Sequence, residues 1–227
     1  MVRMKVRVGM VALALALAAM PAQAGFVGFT GKDANNDGID DYFTVNGGPA
    51  YLVTSIAGGW PALPNPSKTD GLYISWTADQ SNAARGLDTA ALFAYGLNFI
   101  WSGATTTTTF DFRYLSDDFL VDIKLNGGSL GVNNFGAPSP WTASYSANGV
   151  TGTVVNGLNT IEFLVWNSGG YDPGSYDPAY TGISGPTGMA ADFEIYGDAT
   201  PVPDPGSTLL LFGISLVGLR AWRKRRQ

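Results

Sequence analysis

Phe110 to Gly131, FDFRYLSDDFLVDIKLNGGSLG, is the stretch whose reading decides the fold. Phe110, Phe112 and Tyr114 alternate with Asp111 and Arg113. A period of two puts one face of a β-strand in a core and the other toward water. After Asp117-Asp118 the alternation restarts, with Phe119, Val121, Ile123 and Leu125 set against Leu120, Asp122 and Lys124. Asn126-Gly127 then supplies a tight turn, from which Ser129 to Val132 can return as a short partner strand.

The same period recurs on both sides. Ile161, Phe163 and Val165 alternate with Glu162, Leu164 and Trp166, and Ala191, Phe193 and Ile195 alternate with Asp192, Glu194 and Tyr196. Earlier strand candidates are Phe26 to Phe29, Tyr51 to Ser55 and Leu72 to Thr77. Thr105 to Thr109 is β-branched and suits a strand. Ala91 to Trp101 fits a buried strand or a short helix, since periodicity alone does not separate them. Asp79 to Leu92 offers a helical turn, and Gly169 to Gly188, with Pro173, Pro178 and Pro186, reads as a long loop. Many short strands separated by turn residues predict a two-sheet sandwich.

The two ends stand apart from this body. Met1 to Ala24 has Arg3, Lys5 and Arg7, then an apolar run from Val8 to Met20, then Ala22-Gln23-Ala24 as a small-x-small cleavage site. That is the layout of a secretory signal peptide, cut by signal peptidase after export through the Sec pathway, with Gly25 as the new first residue. Residues 25–200 form the predicted β-domain. Within them five cations (Lys32, Lys68, Arg85, Arg113 and Lys124) face 17 carboxylates, a net charge of −12. So acidic a body repels nucleic acid and anionic lipid. With no cysteine, the fold takes no support from disulfides. With no histidine, it lacks the commonest general base and transition-metal ligand. No phosphate loop or metal-hydrolase spacing is present, so the sequence, lacking histidine and cysteine, reads as non-catalytic.

Residues 201–227 hold three parts in order. Pro203-Asp204-Pro205 is stiff, Leu209 to Leu219 is apolar, and Arg220, Arg223, Lys224, Arg225 and Arg226 close the chain. The apolar run is short for a bilayer span, and the basic end is expected to stay cytoplasmic. This tail resembles the PEP-CTERM sorting signal, the substrate of exosortases in bacteria that make an exopolysaccharide matrix. Asp204 departs from that family's usual Glu. The resemblance implies a transient helix in the inner membrane, processing near Val202, Pro203, Asp204 and Pro205, and a final place on the cell surface or in the extracellular matrix. A plain C-terminal membrane anchor is the other reading.

The body carries a second resemblance. FDFRYLSDDFLVDIKLNGGSLG, then Gly157-Leu158-Asn159-Thr160 leading into IEFLVWN, then PTGMAADFEIYG, is similar to the galactose-binding-like jelly roll. The expected architecture is therefore an all-β jelly-roll β-sandwich, with an N-terminal signal peptide and a C-terminal hydrophobic sorting helix.

Three features bear on chemistry. In GKDANNDGIDDYF, Asp33, Asn35, Asp37, Ile39 (through its carbonyl) and Asp41 occupy positions 1, 3, 5, 7 and 9 of a calcium loop, and Gly38 allows the sharp turn. Thr44 stands where an EF-hand has its bidentate Glu, so calcium binding should be weak; an ion-free Asx-rich turn is the alternative. Asp117-Asp118 reads as a solvated turn, with bonds to turn amides or a structural ion as the alternative. Trp76, Trp101 and Trp166 read as core. Tyr171, Tyr176 and Tyr180, in the Pro/Gly-rich loop, are candidate carbohydrate contacts. Two functions follow from different classes: a structural protein of the exopolysaccharide matrix, or a module that binds that polysaccharide directly.

Overall fold

The computed structural model describes residues 24–56, 72–80, 91–134, 144–167, 187–197 and 199–201. They form strands and turns with no helix among them. The early strands are β1 (Ala24–Phe29), β2 (Ile39–Val45), β3 (Gly48–Leu52), β4 (Ser55–Ile56), β5 (Ile74–Ser75) and β6 (Asp79–Gln80). The central ones are β7 (Ala91–Trp101), β8 (Thr106–Asp117), β9 (Phe119–Leu125) and β10 (Gly128–Ser129). The late ones are β11 (Tyr145–Val154), β12 (Gly157–Asn167), β13 (Gly188–Tyr196) and β14 (Ala199–Pro201).

Two antiparallel layers face each other as a jelly-roll sandwich. One layer runs β10-β9-β12-β7-β2, with β14 also paired to β7; the other runs β13-β8-β11, with β1 paired to β13. β3 and β5 bridge β2 to β13 and close one edge. β2 loses its pairing with β3 between Ile39 and Thr44, where the strand bends.

Aromatic rings from the two layers interlock between them. Phe163 of β12 meets Phe112 of β8 edge-on at 5.8 Å and Phe193 of β13 at 6.2 Å. Phe43 of β2 lies 6.4 Å from Phe163 in the same cluster. These residues occupy the inward positions of the period-two pattern, so the alternation in the sequence is what builds the core. Leu115 and Ala190 point to the opposite face of their layer, where Tyr73 and Val53 pack on them.

Of the two readings of Ala91–Trp101 the strand is the one found: β7 is held along its full length by β12. Several local expectations are corrected. Ser129 to Val132 contracts to β10, Gly128–Ser129, and one further bond in the same register runs from the Leu130 amide to the Ile123 carbonyl. Leu72 to Thr77 contracts to β5, and Tyr51 to Ser55 divides between β3 and β4. Asp79–Gln80 is a strand pairing in parallel with β4 where a helical turn is expected; residues 81–90 lie outside the described residues. Trp76 is not core but 36% exposed, because β5 ends at Ser75 and the chain bends away there. Trp101 is in the core. Trp166 is buried but belongs to the outward set of β12, apart from the inter-layer cluster. β2, β11 and β14 are strands that the sequence reading does not identify.

Candidate functional site

The loop between β1 and β2 gathers its acidic side chains around its own amides. Asp33 accepts from Asp37 N at 3.1 Å and from Gly38 N at 2.9 Å. Asn35 Oδ1 accepts from the same Asp37 N at 3.1 Å, so the oxygens of positions 33 and 35 converge on one donor. Asp37 Oδ1 accepts from Ile39 N at 2.9 Å, and Asp41 Oδ2 accepts from Ala34 N at 2.8 Å. Gly38 has φ 80°, the left-handed conformation that lets the chain reverse. Ile39 opens β2 opposite Tyr51. These are the bonds of an Asx-rich turn. Among the described residues no group of three acidic side chains is placed to hold a metal ion. The amides do not exhaust the carboxylates, each of which offers about four acceptor sites.

Asp40 is the loop residue the sequence reading misses. It is 1% exposed and accepts from Gly31 N at 2.5 Å, Tyr42 N at 2.8 Å and Phe43 N at 2.8 Å. Its carboxyl fastens the base of the loop to the start of β2. Burial pushes its pKa up to about 6, against the pull of those amides. The bend in β2 breaks the strand period here, so alternation gives no sign that Asp40 turns inward.

A second polar group lies at one end of the sandwich. The end of β8 meets the start of β13 at Asp117–Gly188, the start of β9 meets the end of β12 at Phe119–Trp166, and Asn167 faces Ala91. Asp117 and Asp118 are 6% and 7% exposed, so the solvated turn expected from the sequence is replaced by a buried one. The reason is the neighbouring chain. Thr187 Oγ1 donates to the Asp117 carbonyl at 3.1 Å, and Asp118 N donates to the Trp166 carbonyl at 3.3 Å. Thr187 N donates to Gln80 Oε1 at 2.9 Å, and Ser75 Oγ donates to the Thr187 carbonyl at 2.7 Å. Asn134 Oδ1 accepts from Leu120 N at 2.7 Å. Tyr73 also belongs here: burial raises its pKa first, and the Asp117 charge adds to the rise. The result is a buried network of backbone amides and carbonyls, hydroxyls and side-chain amides bonded to one another, with the two aspartates buried among them.

The described residues at this end also flank segments 57–71, 81–90, 135–143 and 168–186. Those segments hold Trp60, Trp141, Tyr171, Tyr176 and Tyr180, which lie outside the described residues. Ala22 and Val202, Pro203, Asp204 and Pro205 lie outside them too. Ala24 begins β1, where its backbone pairs with Tyr196. No helix among the described residues is long and apolar enough to cross a membrane.

No curated protein matches the chain. Among solved structures it is similar to a family 35 carbohydrate binding module from an environmental isolate (14% identity, 79% of this chain and 99% of that one, TM-score 0.40). It is also similar to a family 35 module from Clostridium thermocellum (13% identity, 74% and 98%, TM-score 0.36). A third is Xyl-CBM35 in complex with a glucuronic acid containing disaccharide (16% identity, 71% and 91%, TM-score 0.35). The strand order and interlocked core, rather than these superpositions, carry the fold assignment. Residues 201–226 match the VPDSG-CTERM motif. The match is to this related sorting tag and not to PEP-CTERM itself. Asp204 therefore agrees with the motif's name, and Pro205 stands where that name has Ser.

Proposed function

We propose that this is an exported, non-catalytic protein of the cell surface or exopolysaccharide matrix, sorted by its tail. The observation that carries this reading is the VPDSG-CTERM match over residues 201–226. That segment follows a strongly acidic body and carries a basic cluster of its own, Arg220, Arg223, Lys224, Arg225 and Arg226. Signal peptidase releases the body at Ala24, the tail holds it briefly in the inner membrane, and an exosortase-class enzyme cuts within Val202–Pro205. The test fuses residues 201–227 to an exported reporter in a host with such an enzyme. Processing of the reporter supports the reading. A reporter that stays full length there, and is cut in no such host, removes it.

The buried polar end favours a second reading, direct binding of extracellular polysaccharide. Its amides and hydroxyls are groups of the kind that bond sugar hydroxyls, and the flanking segments carry Tyr171, Tyr176 and Tyr180, whose rings are of the kind that stack on sugars. Affinity electrophoresis through native exopolysaccharide separates the readings. A binder is retarded and its tyrosine variants are not, whereas a purely structural protein runs freely.

Calcium is proposed as a weak stabiliser of the β1–β2 loop. Asp33, Asn35, Asp37 and Asp41, with the carbonyl of Ile39, would hold it through oxygen sites that the turn amides leave open.

A further inference from the structure

The body ends without a spacer. β14 pairs with β7 through Ala199–Trp101, Thr200–Ile100 and Pro201–Phe99. The sorting motif begins at residue 201, so the last paired residue of the body is the first residue of the motif. The segment ahead of β14 is tightly seated. Ala199 is buried in the core, and its amide donates to the Gly197 carbonyl at 3.1 Å. Gly197 has φ 138°, and a Cβ there would lie 2.2 Å from the Trp101 ring. Trp101 is itself fixed by its indole N–H to the Ala104 carbonyl at 2.9 Å. β1, which starts at the signal-peptide junction, lies against β14.

The sequence then stops the strand abruptly. Pro201, Pro203 and Pro205 recur every second residue, so one edge of an extended chain has no amide donor there. By sequence, the residue before each proline favours extended backbone. An enzyme cutting within Val202–Pro205 needs a few residues on the body side in its cleft, and in the folded protein those are β14.

We infer that β14 is a gate on tail processing: docked on β7 it withholds the body side of the cut, and it must peel from Trp101 before the tail is removed. This rests on the sorting reading above. After the cut the short strand can return to β7, so the mature body keeps its edge closed.

A cysteine pair tests it, Ile100→Cys with Thr200→Cys in the full-length chain, which has no other cysteine. Directly paired residues on antiparallel strands sit about 4.5–5.5 Å apart, within disulfide reach. One arm follows tail removal in the processing host. The other exposes the purified full-length chain in detergent to a nonspecific protease and maps cuts at residues 198–205. Cleavage tracks the opened population, so the oxidised form should be cut at least about tenfold more slowly than the same variant reduced. Inserting about six Gly/Ser residues between Pro201 and Val202 should restore cutting of the oxidised form. Protection from the added protease with no tail removal in any host would leave the gate standing and sink the sorting reading. Equal cutting of oxidised and reduced forms in the protease arm overturns the gate.

Discussion

Asn126 Nδ2 donates to Asn159 Oδ1 at 2.8 Å, tying the β9–β10 turn to the connection between β11 and β12. Asn159 is buried and spends its whole amide on this junction. Its oxygen also accepts from Val155 N at 2.9 Å, and its nitrogen donates to the carbonyls of Val155 at 2.8 Å and Gly157 at 3.0 Å. Asn126 Oδ1 in return accepts from Thr160 N at 2.9 Å. The Gly-x-Asn-Thr pattern is thus a structural staple. Asn159→Ala should cost about 3 kcal/mol, since buried partners are left unpaired. Asn126→Ala should cost less, and the double variant should fall short of the sum by about 1 kcal/mol. Denaturant unfolding of the four proteins measures this, and strict additivity would contradict the shared junction.

Gly152 on β11 sits tightly against Leu125 and Leu130 of the other layer and Phe110 of its own. A Cβ there would lie 2.8 Å from Leu125 Cδ2, 3.0 Å from Leu130 Cδ2 and 3.1 Å from Phe110 Cε2. Gly152→Val should therefore destabilise by about 2–3 kcal/mol through overpacking. Adding Leu125→Ala to it should recover part of that loss, as read from thermal unfolding.

The buried Asp40 carboxyl predicts an inverted acid response in calcium-free buffer. Its pKa is raised from 3.8 to about 6 by burial, so the folded chain holds the proton more tightly than the unfolded chain. The stabilisation is complete below the unfolded value and is lost as pH rises through about 6. The difference in stability is at most about 3 kcal/mol. Asp40→Asn should flatten this limb of the pH–stability curve. A wild-type curve minus variant curve with no slope between pH 4 and pH 7 would contradict the assignment.

Calcium at the β1–β2 loop should give a measurable titration heat and a higher unfolding temperature only at about 10⁻⁴ to 10⁻³ M ion. Asp33→Ala and Asp37→Ala should abolish both effects. Absence of heat in the parent protein ends the calcium proposal.

What was legible in the sequence follows from where periodicity survives. β8, β12 and β13 alternate cleanly, and Phe112, Phe163 and Phe193 meet as that alternation implies. β9 departs from its expected set: a register shift against β12 leaves Val121 unpaired and puts Leu120, not Phe119 or Val121, in the core with Ile123 and Leu125. β11 escapes notice because Asn148-Gly149 and Gly152 interrupt any alternation; in the fold the first forms a bulge between Ala147 and Val150, and Gly149 N is held by Asp111 at 2.7 Å. β2 escapes because its acidic start reads as ion ligands, whereas Asp40 is a buried anchor. The polar end is assembled by contacts such as Thr187 with Gln80 and Ser75, far apart in the chain, and no local pattern encodes those. Asp117 and Asp118 look like a wet turn until Thr187 and Trp166 are brought over them.

Intact-mass analysis of the protein from envelope and secreted fractions tests the central claim most directly. A chain beginning at Gly25 and ending within Val202–Pro205, free or carrying an attached group, is the predicted result. A chain retaining both Met1 and Gln227 in those fractions would contradict it.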